Sequence, residues 1–310
     1  MTQAATADPR TVTVLLALYQ GAAFLAAQLD SIAAQTQDWR LIVSDDGSTD
    51  AGPALVRAFA AAHPGRVTLI DGPRQGAAAN FRSLLAAAGE ARLVALADQD
   101  DVWLPEKLAR AVSGLSGHDA PALYCGRVTI CDDTLRPLAE SRRPQRPPSF
   151  RHALLQNLAQ GNTLVLNRSA LDLVQQADPL TPPVVMHDWW LYQLIAGAGG
   201  AVIFDPRPSV LYRQHADNVV GANDALRARA GSFARMLTGR HRDWSAQTLA
   251  ALAPVRHLLT PENRAVFDEF AALHRGGLPR RLAAMRRGGF YRQGAVSQAA
   301  LWLAAALGRI

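Results

Sequence analysis

The alternation of short apolar runs with helix-period segments through the first hundred residues constrains this 310-residue chain most. Thr11–Leu18 reads as a strand and Ala22–Gln35 as a helix. Leu41–Ser44 is a second strand, followed by an Ala-rich helix from about Ala51 to Ala62. Val67–Ile70 is a third strand, a helix crosses Ala77–Ala88, and Leu93–Ala97 is the fourth strand. That rhythm predicts an α/β fold: a Rossmann-like, mostly parallel sheet with helices on both faces, and ligands beyond the carboxyl ends of the strands.

The polar residues fall where that rule puts ligands. Asp45-Asp46-Gly47-Ser48 closes strand two, and Asp98-Gln99-Asp100-Asp101 closes strand four. Three carboxylates in four positions repel one another and cannot be buried without partners, so a folded chain needs a cation there. Hard carboxylate oxygens suit Mg²⁺ or Mn²⁺, which bind through one or two carboxylates plus substrate phosphates. Taken alone, the quartet also reads as a polar loop or an acidic helix start. Two acidic clusters at one sheet edge favour the ligand site. In the first cluster, a carboxylate can accept a hydrogen bond from the imide N–H of uracil or thymine. Ser48 or Thr49 can cap the next helix, or serve only the turn.

Beyond Pro105 the pattern loosens. Leu123–Cys131 and Asn162–Leu166 read as strands, His187–Ile195 as a helix start, and Ala201–Asp205 and Ser209–Arg213 as two short closing strands. The Pro/Arg segment 142–148 reads as a mobile loop. From about Asn223 onward everything reads as helix. Cys125 and Cys131 lie six apart in one extended segment, too far for a disulfide, and read as buried free thiols in a reducing compartment. No apolar run reaches the length of a membrane span, and the N-terminus carries no basic leader. The single lysine, Lys107, reads as a compositional bias with no chemistry of its own.

The motifs together resemble the nucleotide-sugar half of inverting family 2 glycosyltransferases with the GT-A fold. The residues that carry the resemblance are Thr13–Tyr19, Gln28-Leu29-Asp30-Ser31-Ile32, Ser44–Asp50 and Asp98-Gln99-Asp100-Asp101-Val102-Trp103-Leu104-Pro105, the last matching the Asp-x-Asp signature. Met186-His187-Asp188-Trp189-Trp190 and Tyr212-Arg213-Gln214-His215, with Asn218-Val219-Val220-Gly221, resemble the bacterial rhamnosyltransferase-like branch. The resemblance implies a catalytic region over residues 1–222. Its nucleotide-sugar half spans about 11–105 and its acceptor half about 106–222, ahead of a helical, basic region at 223–310.

It also implies roles. Backbone around Ala17 and Tyr19, with Asp46, would hold the nucleoside base. Asp98 would bind ribose or a metal-bound water, and Asp100 would ligate Mg²⁺ or Mn²⁺. His215 completes the metal sphere, touches the diphosphate, or is structural. Asp101 stands behind the metal ligands or serves the turn. Arg213 pairs with phosphate or decorates a strand edge. Asp188 is the candidate base, although many relatives have Glu before it where this chain has His187. Trp189 and Trp190 are candidates for stacking on a sugar or lipid-linked acceptor, with one of the two in the core. By their own position in the chain, Gln75-Gly76 with Asn80 read first as a turn and second as a loop that approaches the nucleotide, and Gly161-Asn162 as backbone and an amide on the acceptor side.

The implied reaction moves a sugar, L-rhamnose from dTDP-L-rhamnose or a hexose or galactofuranose from UDP, to a saccharide or lipid-linked acceptor. A nucleotidyltransferase and a non-catalytic nucleotide-binding protein are the alternatives from other classes. The first would carry a Gly-rich, basic phosphate loop near strand one, which Tyr19-Gln20-Gly21-Ala22 is not. The second would have lost Asp100 or Asp188.

Charge divides the chain. Residues 1–206 carry 16 Lys and Arg against 20 Asp and Glu, a balance of −4, whereas residues 207–310 carry 16 Arg against 6 acids, a balance of +10. Arg280, Arg281, Arg286, Arg287 and Arg292 precede the apolar run Ala295–Leu307. That pairing suits attachment to an anionic membrane surface, at the inner face of the cytoplasmic membrane. The alternative is a helix packed on its own domain or on a second subunit in a homodimer. No aromatic-interleaved basic surface points to nucleic acid.

Overall fold

The computed structural model describes residues 11–215 and 240–310. The expected opening rhythm is present: β1 (Val12–Leu18), α1 (Ala22–Ala33), β2 (Trp39–Asp45), α2 (Gly52–Ala62), β3 (Val67–Asp71), α3 (Ala77–Ala87) and β4 (Leu93–Ala97). These strands pair in parallel in the order β3-β2-β1-β4. Side chains along a strand alternate faces, and the packing follows. Val12, Val14, Leu16 and Leu18 of β1, with Ala95 and Ala97 of β4, share a core with α1, α2 and α4 (Lys107–Leu115). Leu15, Val94 and Leu96 turn the other way, onto Phe81 and Leu84 of α3.

Beyond β4 the sheet becomes mixed. β8 (Val165–Asn167) runs antiparallel to both β4 and β6 (Ala122–Cys131), and β9 (Ala201–Arg213) runs parallel to β6. β5 (Val102–Trp103) pairs antiparallel with the end of β9, and β7 (Pro137–Glu140) lies on β6. Three sequence expectations change here. The two short closing strands are one strand, β9, whose register slips opposite Gly126 and Val128. The slip falls where Pro206 and Pro208 cannot donate to a ladder. The strand expected over Asn162–Leu166 begins as a 3-10 turn, Gly161–Thr163. The Pro/Arg segment is irregular, as read, but tied down: Gln293 Oε1 accepts from the backbone N–H of Gln145 and Arg146 at 2.9 and 3.0 Å.

The helices α5 (Phe150–Ala153), α6 (Arg168–Ala177) and α7 (His187–Gly197) cover the α3 face. So do α8 (Arg240–Leu252), α9 (Pro261–Arg275), α10 (Leu278–Gly288) and α11 (Ala295–Leu307). Leu252, Leu259, Phe270, Met285 and Leu301 join Phe150, Trp190 and Leu194 in one buried cluster. The C-terminal helices therefore share one core with the sheet-covering helices α3, α5 and α7. Cys125 and Cys131 are buried free thiols.

Candidate active site

The carboxyl ends of β1, β2, β3 and β4 converge, and side chains knit their loops together. Gln99, inside the acidic quartet, spans back to β1: its Oε1 accepts from Tyr19 N–H at 2.8 Å and its Nε2 donates to Tyr19 O at 2.9 Å. A Cβ on Gly21 would lie 2.3 Å from Gln99 Oε1, so a larger residue there would push the Gln99 amide out of this bridge. The loop after β2 makes the reciprocal links. Ser48 Oγ accepts from Gln20 N–H at 3.0 Å, and Thr49 Oγ1 accepts from Gln20 Nε2 at 2.9 Å. Asp50, rather than Ser48 or Thr49, serves the helix starts: its carboxylate accepts from Ala22 N–H at 2.8 Å and from Gly52 N–H at 2.9 Å. That placement opposes negative charge to two helix N-termini.

Asp46 is buried, and its two oxygens accept from Arg74 N–H at 2.6 Å and Gly76 N–H at 2.7 Å. It shapes the loop between β3 and α3. Asn80 holds the same corner, donating to Ser44 O at 2.9 Å. Tyr19 is 56% exposed at the rim, and Ala17 sits beside Ser44 in the β1–β2 register.

The second half of the crevice follows from the register between β5 and β9. Val102 pairs with Leu211 in antiparallel fashion, so Arg213 comes opposite Asp100 and His215 follows over the quartet. Arg213 is 5% exposed and is a brace rather than a surface decoration. Its Nε donates to Asp100 O at 3.0 Å, its Nη1 donates to Asp133 O, and its guanidinium lies 4.6 Å from the Phe24 ring centroid. His215 Nε2 and Asp100 Oδ2 stand 2.7 Å apart, each side chain mostly covered. Asn218 through Gly221, the remainder of that motif, lie outside the described residues.

The three quartet carboxylates face different ways. Asp101 is fully buried; it accepts from Asn162 Nδ2 at 2.6 Å and from Arg213 N–H at 3.4 Å. Burial and the charges of Asp98 and Asp100 push its pKa well above the usual carboxylate range. Asp98 is pushed up to about 7, by burial first and then by the charges of Asp100 and Asp188. Asp188, ninety positions away along the chain, is thus an electrostatic neighbour of the quartet. It sits in the first turn of α7, where its carboxylate accepts from Trp189 N–H at 2.6 Å and Gly161 N–H at 3.1 Å. An additional hydrogen bond from Asn157 favours the ionised form, yet burial lifts its pKa to about 6.

The residue before it, His187, stacks on Phe81 with centroids 3.9 Å apart. Burial drives its pKa down to about 3, so it is neutral. The acceptor-stacking role considered for the tryptophans finds no exposed ring: Trp189 is 6% and Trp190 1% exposed. Trp189 Nε1 donates to Ala153 O at 2.6 Å, and Trp190 lies in the core under Arg82.

Gln99, Asn157 and Asn162 were not singled out for these roles by sequence reasoning, since each acts through a partner far along the chain. Lys107 also proves more than compositional. It is buried, its Nζ lies 3.8 Å from the Trp103 ring centroid, and burial lowers its pKa to about 7 against the opposing pull of Asp101.

Asp100 and His215 offer a carboxylate oxygen and an imidazole nitrogen to one point, a donor pair compatible with a divalent ion. Among the described residues no group of three His, Cys, Asp or Glu side chains closes a metal cage. The pair fits an ion that takes its remaining ligands from substrate phosphates and water.

The family model for glycosyl transferase family 2 matches residues 13–170. The chain belongs to that family. Among curated relatives, the dTDP-rhamnosyl transferase RfbG of Shigella flexneri is 25% identical over 223 residues, covering 69% of this chain and 76% of that protein. Among solved structures, the mannosyltransferase PcManGT from Pyrobaculum calidifontis, in complex with GDP-Man and Mn²⁺, superposes with TM-score 0.52. It is 21% identical and covers 97% of this chain and 87% of its own. The S. aureus TarS fragment 1–349 with UDP-GlcNAc gives TM-score 0.53 at 14% identity, covering 91% and 93% respectively. The family and these neighbours identify the fold as GT-A, a mixed α/β architecture around a curled sheet.

Proposed function

We propose that this glycosyltransferase is an inverting, metal-dependent enzyme that takes a sugar from a nucleoside diphosphate, with dTDP-L-rhamnose the first donor to test. The observation that carries the reading is the convergence of Asp98, Asp100 and His215 with Asp188 across one crevice. The relationship to RfbG supports the donor choice, and UDP-hexose or UDP-galactofuranose are the next candidates. The acceptor is a saccharide or lipid-linked saccharide of cell-surface polysaccharide synthesis.

In this reading backbone near Ala17 and Tyr19 and the loop shaped by Asp46 hold the base, and Asp98 orients ribose or water. Asp100 and His215 would hold Mg²⁺ or Mn²⁺, which supplies Lewis-acid neutralisation of the leaving diphosphate. Asp101 and Arg213 act behind them, fixing the backbone of Asp100. Asp188 takes the proton of the acceptor hydroxyl as its oxygen bonds to the anomeric carbon and the bond to the diphosphate breaks. A base with a pKa near 6 is ionised at neutral pH while keeping basicity for that transfer. A single carboxylate in this position suits direct displacement with inversion.

The C-terminal region supports a peripheral seat on the inner face of the cytoplasmic membrane. Among the described residues no helix is long and apolar enough to cross a bilayer. The inward side of α11 (Ala300, Leu301, Ala304, Ala305) packs on the domain, while Val296, Leu303 and Leu307 are 73%, 44% and 53% exposed. That outward stripe faces anionic lipid or, as a second occupant, another copy in a homodimer.

The test is thermal stabilisation by dTDP, UDP, ATP and CTP with and without Mn²⁺, followed by donor hydrolysis over a panel of nucleotide sugars. A nucleoside diphosphate at about 100 times its dissociation constant adds roughly 2.7 kcal/mol. Stabilisation by ATP or CTP alone would favour a nucleotidyltransferase, and binding without hydrolysis or transfer a non-catalytic binder.

A further inference from the structure

Most buried charges here have an answering group. Asp46 accepts two backbone N–H groups, Arg127 pairs with Glu140, Arg213 donates to two carbonyls, and Lys107 has Asp101 and the Trp103 ring. Arg292 is different. It is 9% exposed, and its Nε meets no acceptor. Burial alone pushes its pKa down to about 10, with no carboxylate working against that. A guanidinium nitrogen buried without an acceptor is costly, and an anion seated against the group offsets part of that cost.

The surroundings are basic and polar. The Arg146 guanidinium lies 3.7 Å from the Tyr291 ring centroid, and Tyr291 donates its hydroxyl to Pro147 O. Gln293 holds Arg146 from both sides, accepting from its N–H at 3.0 Å and donating to its carbonyl at 3.0 Å. His152 lies within the electrostatic reach of both arginines, and burial first, then their charges, lower its pKa to about 4. It is a neutral imidazole, bonded to Tyr192 and Gln156. Immediately after this cluster α11 begins at Gly294 with no side-chain cap and no acid in its first turn. Gln298, in the first turn, accepts from Arg292 N–H at 2.9 Å.

The cluster also adjoins the base. Gln156 Oε1 accepts from Gln293 N–H at 2.8 Å, and the next residue, Asn157, is hydrogen-bonded to Asp188. We propose that Arg292, with Arg146 and the start of α11, forms an anion site for a phosphate group carried by the acceptor, seated between the Pro/Arg segment and α11 beside the groups that hold Asp188. Two guanidinium groups and an uncapped helix start favour a doubly charged phosphate over a single carboxylate. Val296, 73% exposed and four residues beyond Arg292, opens the apolar stripe along which an alkyl chain on that phosphate would lie. That the anion belongs to an acceptor rests on the glycosyl-transfer reading; the existence of the site does not.

The test uses the full-length protein without divalent metal, melted in chloride and in inorganic phosphate at equal ionic strength. Wild type should gain stability saturably with phosphate. Arg292→Gln should melt no lower than wild type in chloride and lose the phosphate response, while Asp100→Ala keeps it, which separates the site from the donor pocket. Equal phosphate responses in wild type and Arg292→Gln overturn the proposal.

Should Arg292→Gln fail to fold, ³¹P line broadening of phosphate by wild type and Arg146→Gln decides. About a tenfold weaker interaction is expected for the variant, and no change overturns the site. A hexose 1-phosphate and its long-chain alkyl ester distinguish the source: tighter binding of the ester identifies a lipid phosphate, equal binding a soluble one, and either supports the site. If dTDP with Mn²⁺ fails to stabilise wild type while the phosphate response still depends on Arg292, the glycosyl-transfer reading fails and the anion site stands.

Discussion

Asp188→Asn separates a catalytic carboxylate from a structural one, because the two roles predict opposite effects on stability. The wild-type carboxylate accepts from Trp189 N–H and Gly161 N–H, so an asparagine amide must turn its NH₂ toward one of those donors. Leaving that buried N–H without an acceptor costs about 1–3 kcal/mol. Against that, burial moves the pKa from 3.8 to about 6. Holding the ionised group in the fold at pH 7 therefore costs roughly 2–3 kcal/mol, which the neutral amide does not incur. The expected net change at pH 7 lies between a loss of about 1 kcal/mol and a gain of about 2 kcal/mol.

The sign follows from proton counting. Between pH 4 and 6 the folded state holds a proton that the unfolded state has lost. The wild-type contribution therefore becomes unfavourable as pH rises through that window, and the advantage of the variant should be gone by pH 4. Activity moves the other way. Loss of a general base should lower kcat by about 10²–10⁴-fold, and wild-type kcat/KM should fall toward tenfold per pH unit below pH 6. Melting curves from pH 4 to 8 and transfer from dTDP-L-rhamnose, or whichever donor the panel selects, read both. A variant that melts several degrees lower at pH 7, or turns over within tenfold of wild type, would refute Asp188 as the base.

Asp100→Ala and His215→Ala should each abolish the extra stabilisation that Mn²⁺ confers on a nucleoside diphosphate complex, read as the shift in melting temperature; an unchanged shift removes that residue from the metal site. Arg213→Lys keeps the charge but loses the fork that reaches both the Asp100 and Asp133 carbonyls. About a 10–100-fold loss of apparent Mn²⁺ affinity is expected from such a supporting position, measured by titrating Mn²⁺ against donor hydrolysis. Leu303→Glu with Leu307→Glu places charge on the exposed stripe of α11 and should abolish co-sedimentation with vesicles containing phosphatidylglycerol without lowering donor hydrolysis. Retained sedimentation refutes the membrane seat, and a change in oligomeric state by size-exclusion chromatography would assign the stripe to a second copy. Removing everything after Ala222 would not test it, since Leu252, Phe270 and Leu301 belong to the shared core.

What the sequence showed and what it hid follow from the range of the interactions. The first four strands were legible because their apolar runs are local, and the two acidic clusters because a strand end needs no partner to be recognised. β9 was hidden by Pro206 and Pro208, which broke the pattern of a strand whose register slip tolerates them. The Trp189-Trp190 pair was misread for a related reason. A helix packed on nearly all sides buries both neighbours, and α7 lies between the sheet and the C-terminal helices. No periodicity announces Gln99, Asn157 or Asn162, whose partners lie 80, 31 and 61 positions away.

The quartet itself shows why three acids can occupy one turn. The three still repel one another, since the charges of Asp98 and Asp100 both push the Asp101 pKa up, but they are not left together in the crevice. Asp101 instead turns into the protein, where Asn162 and the Arg213 N–H receive it and Lys107 lies within electrostatic reach. In doing so it pins β9 against the loop, and Arg213 in turn fixes the Asp100 carbonyl. The buried acid thus sets the position of its neighbour, and Asp100 meets His215 across a gap that the fold has already fixed. Replacing Asp101 by asparagine would keep the shape yet set a second amide against Asn162. The loss should therefore appear first as weaker divalent-ion binding at Asp100, two bonds removed from the altered atom's own contacts, and only second as lower stability.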